Sequence, residues 1–256
     1  MTAAQEPSLL IFYAFARELS HFRRRLENRS ALSSSGLRGF RGRMNGADLA
    51  LVATGIGATH ARDSARRALD TFPGVKMVIS TGVAGALSEG LRAGDLVMID
   101  RLILGGGESS SADQIVPLDA SRVRVAEQTL RSAGLRFATG AMLTATKLLA
   151  DSLAKRRAKE QSGAIAVDME SAVLALEAGA RGIPFVCVRS VLDAIDDEIP
   201  AMEVDAAGGE VRPLDAAGFL LRHPAALLKL PLLMRNLSRA TASLAQALEA
   251  LVPTVI

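Results

Sequence analysis

The sequence is poor in several residue types, and each shortage argues against a class of protein. Cys187 is the single cysteine among 256 residues, so no disulfide can form within the chain, which fits a reducing compartment. None of the three histidines is close to Cys187 in the sequence, so we expect a packing residue and not a catalytic thiol. Basic and aromatic residues do not interleave, and the net charge is only +3, so a nucleic-acid partner is not expected.

Long uninterrupted apolar segments are also missing. The first apolar run, 9–16, is short and follows no basic region, so neither a signal peptide nor a membrane-spanning helix is expected. Hydrophobic residues make up 49% of the chain and the mean hydropathy is +0.25, which is high for a soluble enzyme. This length and content are ample for a sizeable core. We expect an α/β domain over residues 1–213 and an amphipathic helical tail over 214–256 that packs on it or continues it.

The segment from Ala164 to Asp193 predicts a strand, a helix and a second strand. The apolar run AIAVDM enters a helix at Glu170, and the β-branched run FVCVRSVL has the composition of a buried strand. Two carboxylates, those of Glu170 and Asp193, therefore follow the carboxyl ends of two strands. Ligands of open α/β sheets bind at that edge, so these carboxylates are candidate site residues.

Two further strands each end in a glycine turn. DLALVATGIG contains Gly55 and Gly57 before a helix that begins near Thr59, and KMVISTGVAGAL contains Gly82 and Gly85. One such turn by itself indicates only a tight connection between a strand and a helix. Its functional interpretation is a set of backbone N–H groups that binds a phosphate or a ribose oxygen.

The first strand, SLLIFYA, leads into a predicted helix, FARELSHFRRRL. Phe15, Leu19, Phe22 and Leu26 fall at helical spacing and would face the core. Glu18 lies off that stripe, close to the carboxyl end of the strand. By its pattern alone, Glu18 is better interpreted as a solvated helix residue than as a site residue.

The remaining segments predict connections and a tail. Residues 33–46 predict hairpin turns between edge strands, and residues 105–113 predict a surface loop. The leucine-rich region 214–251 predicts short helical pieces broken by Pro224 and Pro231, with basic residues between the leucines. Two interpretations stay open for it: a helix that caps the core or joins subunits, and a basic amphipathic segment on an anionic membrane surface.

Three motifs resemble those of the nucleoside phosphorylase and methylthioadenosine/S-adenosylhomocysteine nucleosidase superfamily. They are VDMES at 167–171, RSVLD at 189–193, and STGVAGAL at 80–87 followed by AGDLV at 93–97. Val83 and Leu192 depart from the serines usual in that superfamily. The tail, with DMES and an R-x-x-x-D that lacks serine, is similar to the hopanoid-associated phosphorylase branch, which removes adenine from adenosylhopane.

The resemblance implies a single α/β domain with a central mixed twisted sheet flanked by helices, plus a C-terminal helical extension. It implies cleavage of a purine N-glycosidic bond, in which Asp193 protonates the departing base and Glu170 binds the ribose hydroxyls. Glu18 falls where the nucleosidases carry the glutamate that activates water. Residues implied or considered for substrate binding are Met169, Gly82, Val83, Leu148, Leu149 and Arg189, although Arg189 fits a structural ion pair equally well.

The attacking nucleophile stays open between water and phosphate. Hexameric phosphorylases carry an arginine where this chain has Ser80, but a phosphate pocket is still conceivable. Its candidate residues are Thr54, Gly55, Gly57, Thr81, Arg17 and Arg62. No cofactor and no metal are expected, with phosphate as a conceivable co-substrate.

Three functions stay in view. The first is an enzyme of hopanoid metabolism that cleaves a lipid-linked adenine nucleoside, and the second is a soluble methylthioadenosine/S-adenosylhomocysteine nucleosidase. The third is an inactive nucleotide-binding protein at a membrane, which the retention of Glu18, Glu170 and Asp193 argues against. We expect a cytoplasmic homo-oligomer with a small-molecule or lipid-linked substrate, and peripheral contact of the tail with the inner membrane face stays open.

Overall fold

A computed structural model describes residues 6–32, 36–105, 113–199 and 224–254, with side chains from 229 onward in the last range. The strands are β1 (Leu9–Tyr13), β2 (Glu27–Ala31), β3 (Arg38–Met44), β4 (Ala47–Ala53), β5 (Met77–Ala86), β6 (Leu96–Leu104), β7 (Gln114–Pro117), β8 (Phe137–Thr144), β9 (Ala166–Asp168) and β10 (Phe185–Asp193). The helices are α1 (Ser20–Arg23), α2 (Ala58–Thr71), α3 (Ala120–Ser132), α4 (Ser152–Ser162), α5 (Ser171–Gly179) and α6 (Pro224–Leu251).

All ten strands belong to one mixed sheet organised around β5. The path runs β10-β6-β8-β9-β5-β1-β4-β3-β2, with β7 beside β6, and β5 pairs also with β10. The strands β5, β10, β6, β8 and β9 therefore form a closed ring, from which β1 to β4 extend as an open arm. In the arm, β4 and β1 run parallel to each other. They are also parallel to β5 of the ring, which is parallel to β10. The predicted central mixed sheet is confirmed.

Helices cover both faces of the sheet and divide the core into two main clusters. One cluster joins the sheet to α2 and α5, through buried residues such as Ala65, Leu69 and Val173. The other joins it to α1, α3 and the second half of α6, through Phe22, Leu130 and others. Apolar side chains on both faces of the central strands fit the near-continuous hydrophobic runs in the sequence.

The predicted helix at 15–26 is wrong in extent, because α1 has only four residues. Residues 14–19 form bends and turns instead, in which the Glu18 side chain accepts hydrogen bonds from the N–H groups of Ala14 and Phe15. The predicted buried positions are confirmed for Leu19 and Phe22, which are at most 2% exposed. The chain then enters β2, which the sequence did not indicate.

The predicted hairpin of the 33–46 region is confirmed for β3 and β4, which pair from Arg38–Ala53 to Met44–Ala47. Asn45 and Gly46 make the turn, with φ of +50° and +83°. Positive φ at both positions is typical of the two-residue turns that join twisted antiparallel strands. Residues 33–35, and residues 106–112 of the predicted loop, lie outside the described residues.

The C-terminal region differs from its prediction. From Pro224 the chain forms one helix, and Pro231 lies inside it, so the predicted break at Pro231 is wrong. Pro231 is exposed near the beginning of a 28-residue helix, where one lost hydrogen bond is offset by the turns that follow. The second half is core: Leu244, Leu248 and Leu251 are 0% exposed. This burial fits the capping interpretation, and the domain division stays a prediction because the boundary at 213/214 lies outside the described residues. None of the helices, over the part that is described, is long and apolar enough to cross a membrane.

Candidate active site

Predicted site residues meet where parallel strands end at one edge of the sheet. The turn with Glu18 follows β1, residues 54–57 follow β4, and Asp193 is the last residue of β10. Glu170 follows β9, which pairs with the end of β5. The carboxyl ends of parallel strands form the crevice in which α/β sheets bind ligands. Glu170 and Asp193 thus both lie at strand ends, with β9 parallel to β8 and antiparallel to β5; that they form a site stays a prediction.

Glu18 is buried, with 1% of its surface exposed. Its Oε1 accepts a hydrogen bond from the N–H of Val83 at 2.8 Å, and its Oε2 accepts from the N–H groups of Ala14 and Phe15 at 2.6 and 3.1 Å. Burial raises the pKa of Glu18 above its ordinary value, although the charge of Arg189 and the three N–H groups oppose the rise. A carboxylate whose pKa is raised is a better base for a water molecule. The solvated-residue interpretation of Glu18 is wrong.

Gly82 lies between the charged groups of this edge. Its φ is +136°, and a Cβ at this position would collide with the guanidinium of Arg189 and the carboxylate of Glu18. The absence of a side chain therefore lets the Arg189 guanidinium and the Glu18 carboxylate both approach the backbone of β5. The predicted glycine turn at the end of this strand is wrong, because β5 continues through Gly82 and Gly85 to Ala86.

Glu170 stands at the N-cap position of α5 without a side-chain cap bond, and its carboxyl group reaches the glycine turn that follows β4. Its Oε1 accepts a hydrogen bond from the N–H of Gly57 at 2.7 Å, and its Oε2 accepts from the N–H of Met169 at 3.3 Å. Burial first, and then the charge of Asp168, raise the pKa of Glu170 to about 8, although the charge of Arg189 and the hydrogen bond from Gly57 oppose the rise. The carboxyl group is therefore poised to change charge near neutral pH.

Arg189 is buried and forms an ion pair with Asp168, a residue to which the sequence assigned no role. One guanidinium nitrogen, Nη2, donates to Asp168 Oδ2 at 2.7 Å, to Ser171 Oγ at 2.6 Å and to Ser80 Oγ at 3.0 Å. The other, Nη1, donates to the carbonyl oxygen of Thr81. These bonds join β10, β9, α5 and β5 directly beneath Glu18 and Glu170, so the ion pair also orients the site.

Sequence comparison places this site in a family. The phosphorylase superfamily matches residues 8–214. The chain belongs to the phosphorylase superfamily. A curated relative, the 5′-methylthioadenosine/S-adenosylhomocysteine nucleosidase of Chromohalobacter salexigens, is 28% identical over 202 residues, which cover 74% of this chain and 86% of the relative. The predicted resemblance to this superfamily is confirmed, and the chain is an enzyme that cleaves the N-glycosidic bond of nucleosides.

Solved structures show that the superfamily fold extends over nearly the whole chain. The methylthioadenosine/S-adenosylhomocysteine nucleosidase of Neisseria meningitidis, in complex with methylthio-immucillin-A, superposes with a TM-score of 0.72 at 21% identity, covering 95% of this chain and 97% of that one. The futalosine hydrolase of Helicobacter pylori gives 0.71 at 17% identity, covering 94% and 97%. At these identities the likeness concerns the fold.

Asp193 of this phosphorylase-superfamily chain is paired with Lys155, which the sequence analysis missed. Both are buried, at 3% and 0% exposure, and the Lys155 ammonium donates to Asp193 Oδ2. Burial raises the pKa of the Asp193 carboxyl and Lys155 lowers it, with a net rise. Lys155 lies in α4, which was not predicted, within a basic LAKRRAK run that looks solvent-exposed by sequence. No local pattern could have indicated that one of its cations is buried.

The residues proposed for a phosphate pocket do not come together as a cationic site. Gly55 and Gly57 form the expected turn, with φ of +80° and +98°. Arg17 donates to Met234 Sδ at 3.5 Å on α6, while Arg62 lies 3.9 Å from Glu177 on α5. Neither arginine forms a hydrogen bond with Gly55 or Gly57 among the described residues.

The hydroxyl groups expected in the phosphate pocket are also engaged or enclosed. Thr54 Oγ1 donates to backbone carbonyls of Tyr13 and Gly55, at 3.2 and 2.8 Å. Thr81 Oγ1 is buried and has no hydrogen-bond partner within the described ranges. The roles of these two residues in ligand binding stay predictions.

The apolar residues predicted to bind the substrate are partly open. Met169 and Val83 are half-buried, Leu148 is 43% exposed, and Leu149 packs against a small cluster beneath β8 and β9. A cavity of about 290 Å³ opens beside Asp193, between the residues that follow β10 and the first half of α6. It is lined by Asp193, Asp196, Asp197, Glu198, Ile199, Lys229, Leu232, Leu233 and Asn236.

Proposed function

We propose that this enzyme releases adenine from a nucleoside by hydrolysis, with water as the nucleophile. The observation that carries the proposal is the carboxylate of Glu18, which accepts a hydrogen bond from the N–H of Val83, next to Gly82 in β5. A carboxylate there repels a phosphate dianion but can accept a proton from water. Arg17 and Arg62, the cations considered for phosphate, contact side chains on α6 and α5 instead.

Each carboxyl group has one task in the proposed reaction. As the bond between ribose C1′ and purine N9 breaks, its electron pair goes to the purine, and the Asp193 carboxyl gives a proton to N7. Glu170 accepts hydrogen bonds from the ribose hydroxyls, which strengthen as positive charge develops on the sugar. Water adds to C1′ and loses a proton to Glu18, so the products are adenine and free ribose with its 5′ substituent.

The proposed natural substrate is adenosylhopane, an adenine nucleoside with a large apolar 5′ substituent. Ile199, Leu232 and Leu233 line the cavity next to Asp193, and Leu232 is 55% exposed. Apolar side chains that are open to solvent at a ligand cavity favour an apolar ligand. The sequence resemblance of the tail to the hopanoid-associated branch supports the same substrate.

A second substrate class is favoured by a specific observation. The Chromohalobacter relative, 28% identical, is a 5′-methylthioadenosine/S-adenosylhomocysteine nucleosidase, and 86% of its length aligns with this chain. Methylthioadenosine and S-adenosylhomocysteine carry the same adenine and ribose groups with smaller 5′ substituents. The carboxylates described above would act on them in the same way.

The test offers adenosylhopane, methylthioadenosine and S-adenosylhomocysteine to the enzyme with and without phosphate, and measures adenine release. We expect turnover that does not depend on phosphate and a free sugar identified by mass spectrometry. Formation of a ribose 1-phosphate, or a strict phosphate requirement, would refute hydrolysis. Glu18→Gln should stop turnover, with Glu27→Gln on the exposed strand β2 as the matched control. Higher kcat/KM for methylthioadenosine than for adenosylhopane would favour the second substrate class.

A lipid-linked substrate would be met at a membrane, and we propose peripheral contact through the first half of α6. Leu232 and Met234 are 55% and 45% exposed there, among the exposed cations Lys229, Arg235 and Arg239. Each cation near an anionic bilayer contributes about 1 kcal/mol, and salt weakens this. We expect sedimentation with anionic liposomes at low salt and partial release at high salt. No binding at low salt would end the membrane proposal.

We also propose a homo-oligomer, since this superfamily commonly builds its sites at subunit interfaces. Ile115 and Leu153 are large apolar side chains with 65% and 56% of their surface exposed, and their burial against a second subunit would remove apolar area from water. Sedimentation equilibrium should give a mass that is a multiple of 26.9 kDa. A single species at 26.9 kDa at micromolar concentration would contradict the oligomer.

A further inference from the structure

Lys155 has no role in the reaction as described so far, yet its position is unusual. Its side chain is 0% exposed, and its ammonium group donates to three oxygen atoms. These are Asp193 Oδ2 and the backbone carbonyl oxygens of Ala194 and Asp197, the latter two at 2.8 Å. An ammonium has three N–H donors, so each has a partner. The lysine therefore fixes the carboxyl group of Asp193 relative to the chain that follows β10.

The chain after β10 is built to hold this arrangement. The N–H of Ala194 donates to Asp197 Oδ2 at 2.8 Å, and Arg156, next to Lys155 in α4, forms an ion pair with Asp196. The charged groups that face Asp193 are thus Lys155 from α4 and Asp197 from its own segment. Across the adjoining cavity, Lys229 of α6 is paired with Glu198 at 3.2 Å.

A buried general acid has an energetic difficulty that Lys155 resolves. After a carboxyl group gives its proton to a base, the carboxylate is left in a site that disfavours charge. An ammonium already hydrogen-bonded to that carboxylate stabilises it at the moment it forms. Without the ammonium, the carboxyl would hold its proton more tightly and would be a weaker acid.

From this geometry, and resting on the proposed function of Asp193 as the acid, we infer that Lys155 is the positioning residue that sets its acidity. It holds Oδ2, leaves Oδ1 for the purine, and stabilises the carboxylate after N7 has been protonated. In this step the proton moves from Asp193 to N7 as the C1′–N9 electron pair moves to the purine. Lys155 keeps its own protons throughout.

The experiment replaces Lys155 by methionine, which keeps much of the volume and removes the charge. An opposite charge at this range lowers a carboxyl pKa by about 1–3 units, so its removal should raise the pKa of Asp193. The protonated acid is the active form, so the alkaline limb of kcat/KM for methylthioadenosine should move up by at least about 1 pH unit. The value of kcat/KM at the pH optimum should fall by roughly 10- to 100-fold, because Asp193 is then a weaker acid. Lys159→Met, one turn later on α4 and partly exposed, is the control and should leave both unchanged.

A merely structural lysine predicts a different result. In that case Lys155→Met lowers stability or kcat, but the alkaline limb stays where it is in the wild type, which would overturn the inference. Lys155→Arg restores a cation and should return the alkaline limb of kcat/KM toward its wild-type position. If Lys155→Met does not fold, Lys155→Gln replaces it, and an alkaline limb at the same pH as in the wild type refutes the inference. Infrared titration of the Asp193 carboxyl, with Asp193→Asn to assign the band, gives the same comparison without a substrate. A wild type that releases no adenine therefore refutes the proposed function, whereas an unchanged carboxyl titration in Lys155→Met refutes this inference.

Discussion

Replacing Glu170 by glutamine should stabilise the protein in a way that depends on pH. The pKa of Glu170 is raised from its ordinary 4.5 to about 8, first by burial and then by the charge of Asp168. Between these two values the folded protein keeps a proton that the unfolded chain has lost. Stability therefore falls as the pH rises through this window, and the loss is complete above about pH 8.

The size of the effect follows from the same shift. One pKa unit corresponds to about 1.4 kcal/mol, so an ionised Glu170 costs the folded state about 5 kcal/mol at pH 9. Near pH 5 the cost is below about 1 kcal/mol, because this pH is only slightly above the pKa of a glutamate in the unfolded chain. Glutamine has no charge to lose, and its amide oxygen can still accept the hydrogen bond from Gly57. The variant should thus gain stability over the wild type only as the pH increases.

Guanidinium unfolding followed by circular dichroism at pH 5, 7 and 9 measures this difference. Glu160→Gln, at an exposed position of α4, serves as the control and should give no pH-dependent gain. A difference between Glu170→Gln and the wild type that is the same at all three pH values would refute the reasoning. At pH 9, where Glu170 is ionised, catalysis should change in the opposite direction, with a higher KM and a lower kcat, because an amide accepts hydrogen bonds from ribose hydroxyls more weakly than a carboxylate.

Three other substitutions or treatments test the site. Asp193→Asn should lower kcat by roughly a hundred- to ten-thousand-fold, because an amide cannot deliver a proton. Above the alkaline limb, where Asp193 is ionised, it should also lower the unfolding free energy by about 3–5 kcal/mol because Lys155 loses its anionic partner; wild-type unfolding there would contradict the buried pair. Gly82→Ala should lower adenine release and destabilise the fold by roughly 1–3 kcal/mol, measured by thermal unfolding. Near-normal adenine release and stability would show that β5 tolerates a side chain at this position. Cys187 is buried and burial raises its pKa to about 11, so iodoacetamide at pH 8 should label it only after denaturation, as mass spectrometry would show.

The sequence predicted the parts of the site that depend on local patterns. The turn at Gly55 and Gly57 after β4 is visible in a single chain segment, and so is the position of Glu170 and Asp193 at strand ends, whereas β5 continues through its two glycines. Parallel strands place these ends at one edge, so neighbouring side chains follow from topology. The extent of the first helix could not be predicted, because Glu18 is held in its turn partly by the N–H of Val83, 65 residues away, which no local pattern shows.

Long-range electrostatics lie beyond what a single sequence shows. Lys155 and Asp193 are 38 residues apart, and Arg189 and Asp168 are 21 apart. Nothing in the local pattern separates Lys155 from its exposed neighbour Arg156. Burial of a cation is decided by tertiary packing and becomes acceptable only when its anionic partner is buried with it.

The position of α6 has a consequence for how the chain folds during synthesis. The strands β5, β6 and β10, which α6 covers, are synthesised before α6. Leu251, the last residue of α6, is added 58 residues after Asp193, the last residue of β10. At translation rates of about 5–20 residues per second, an apolar surface stays uncovered on the ribosome for roughly 3–12 seconds. During that time the nascent sheet can associate with other exposed apolar segments. We expect ribosome-stalled chains that end before α6 to be held by chaperones, and release to follow once α6 is outside the exit tunnel.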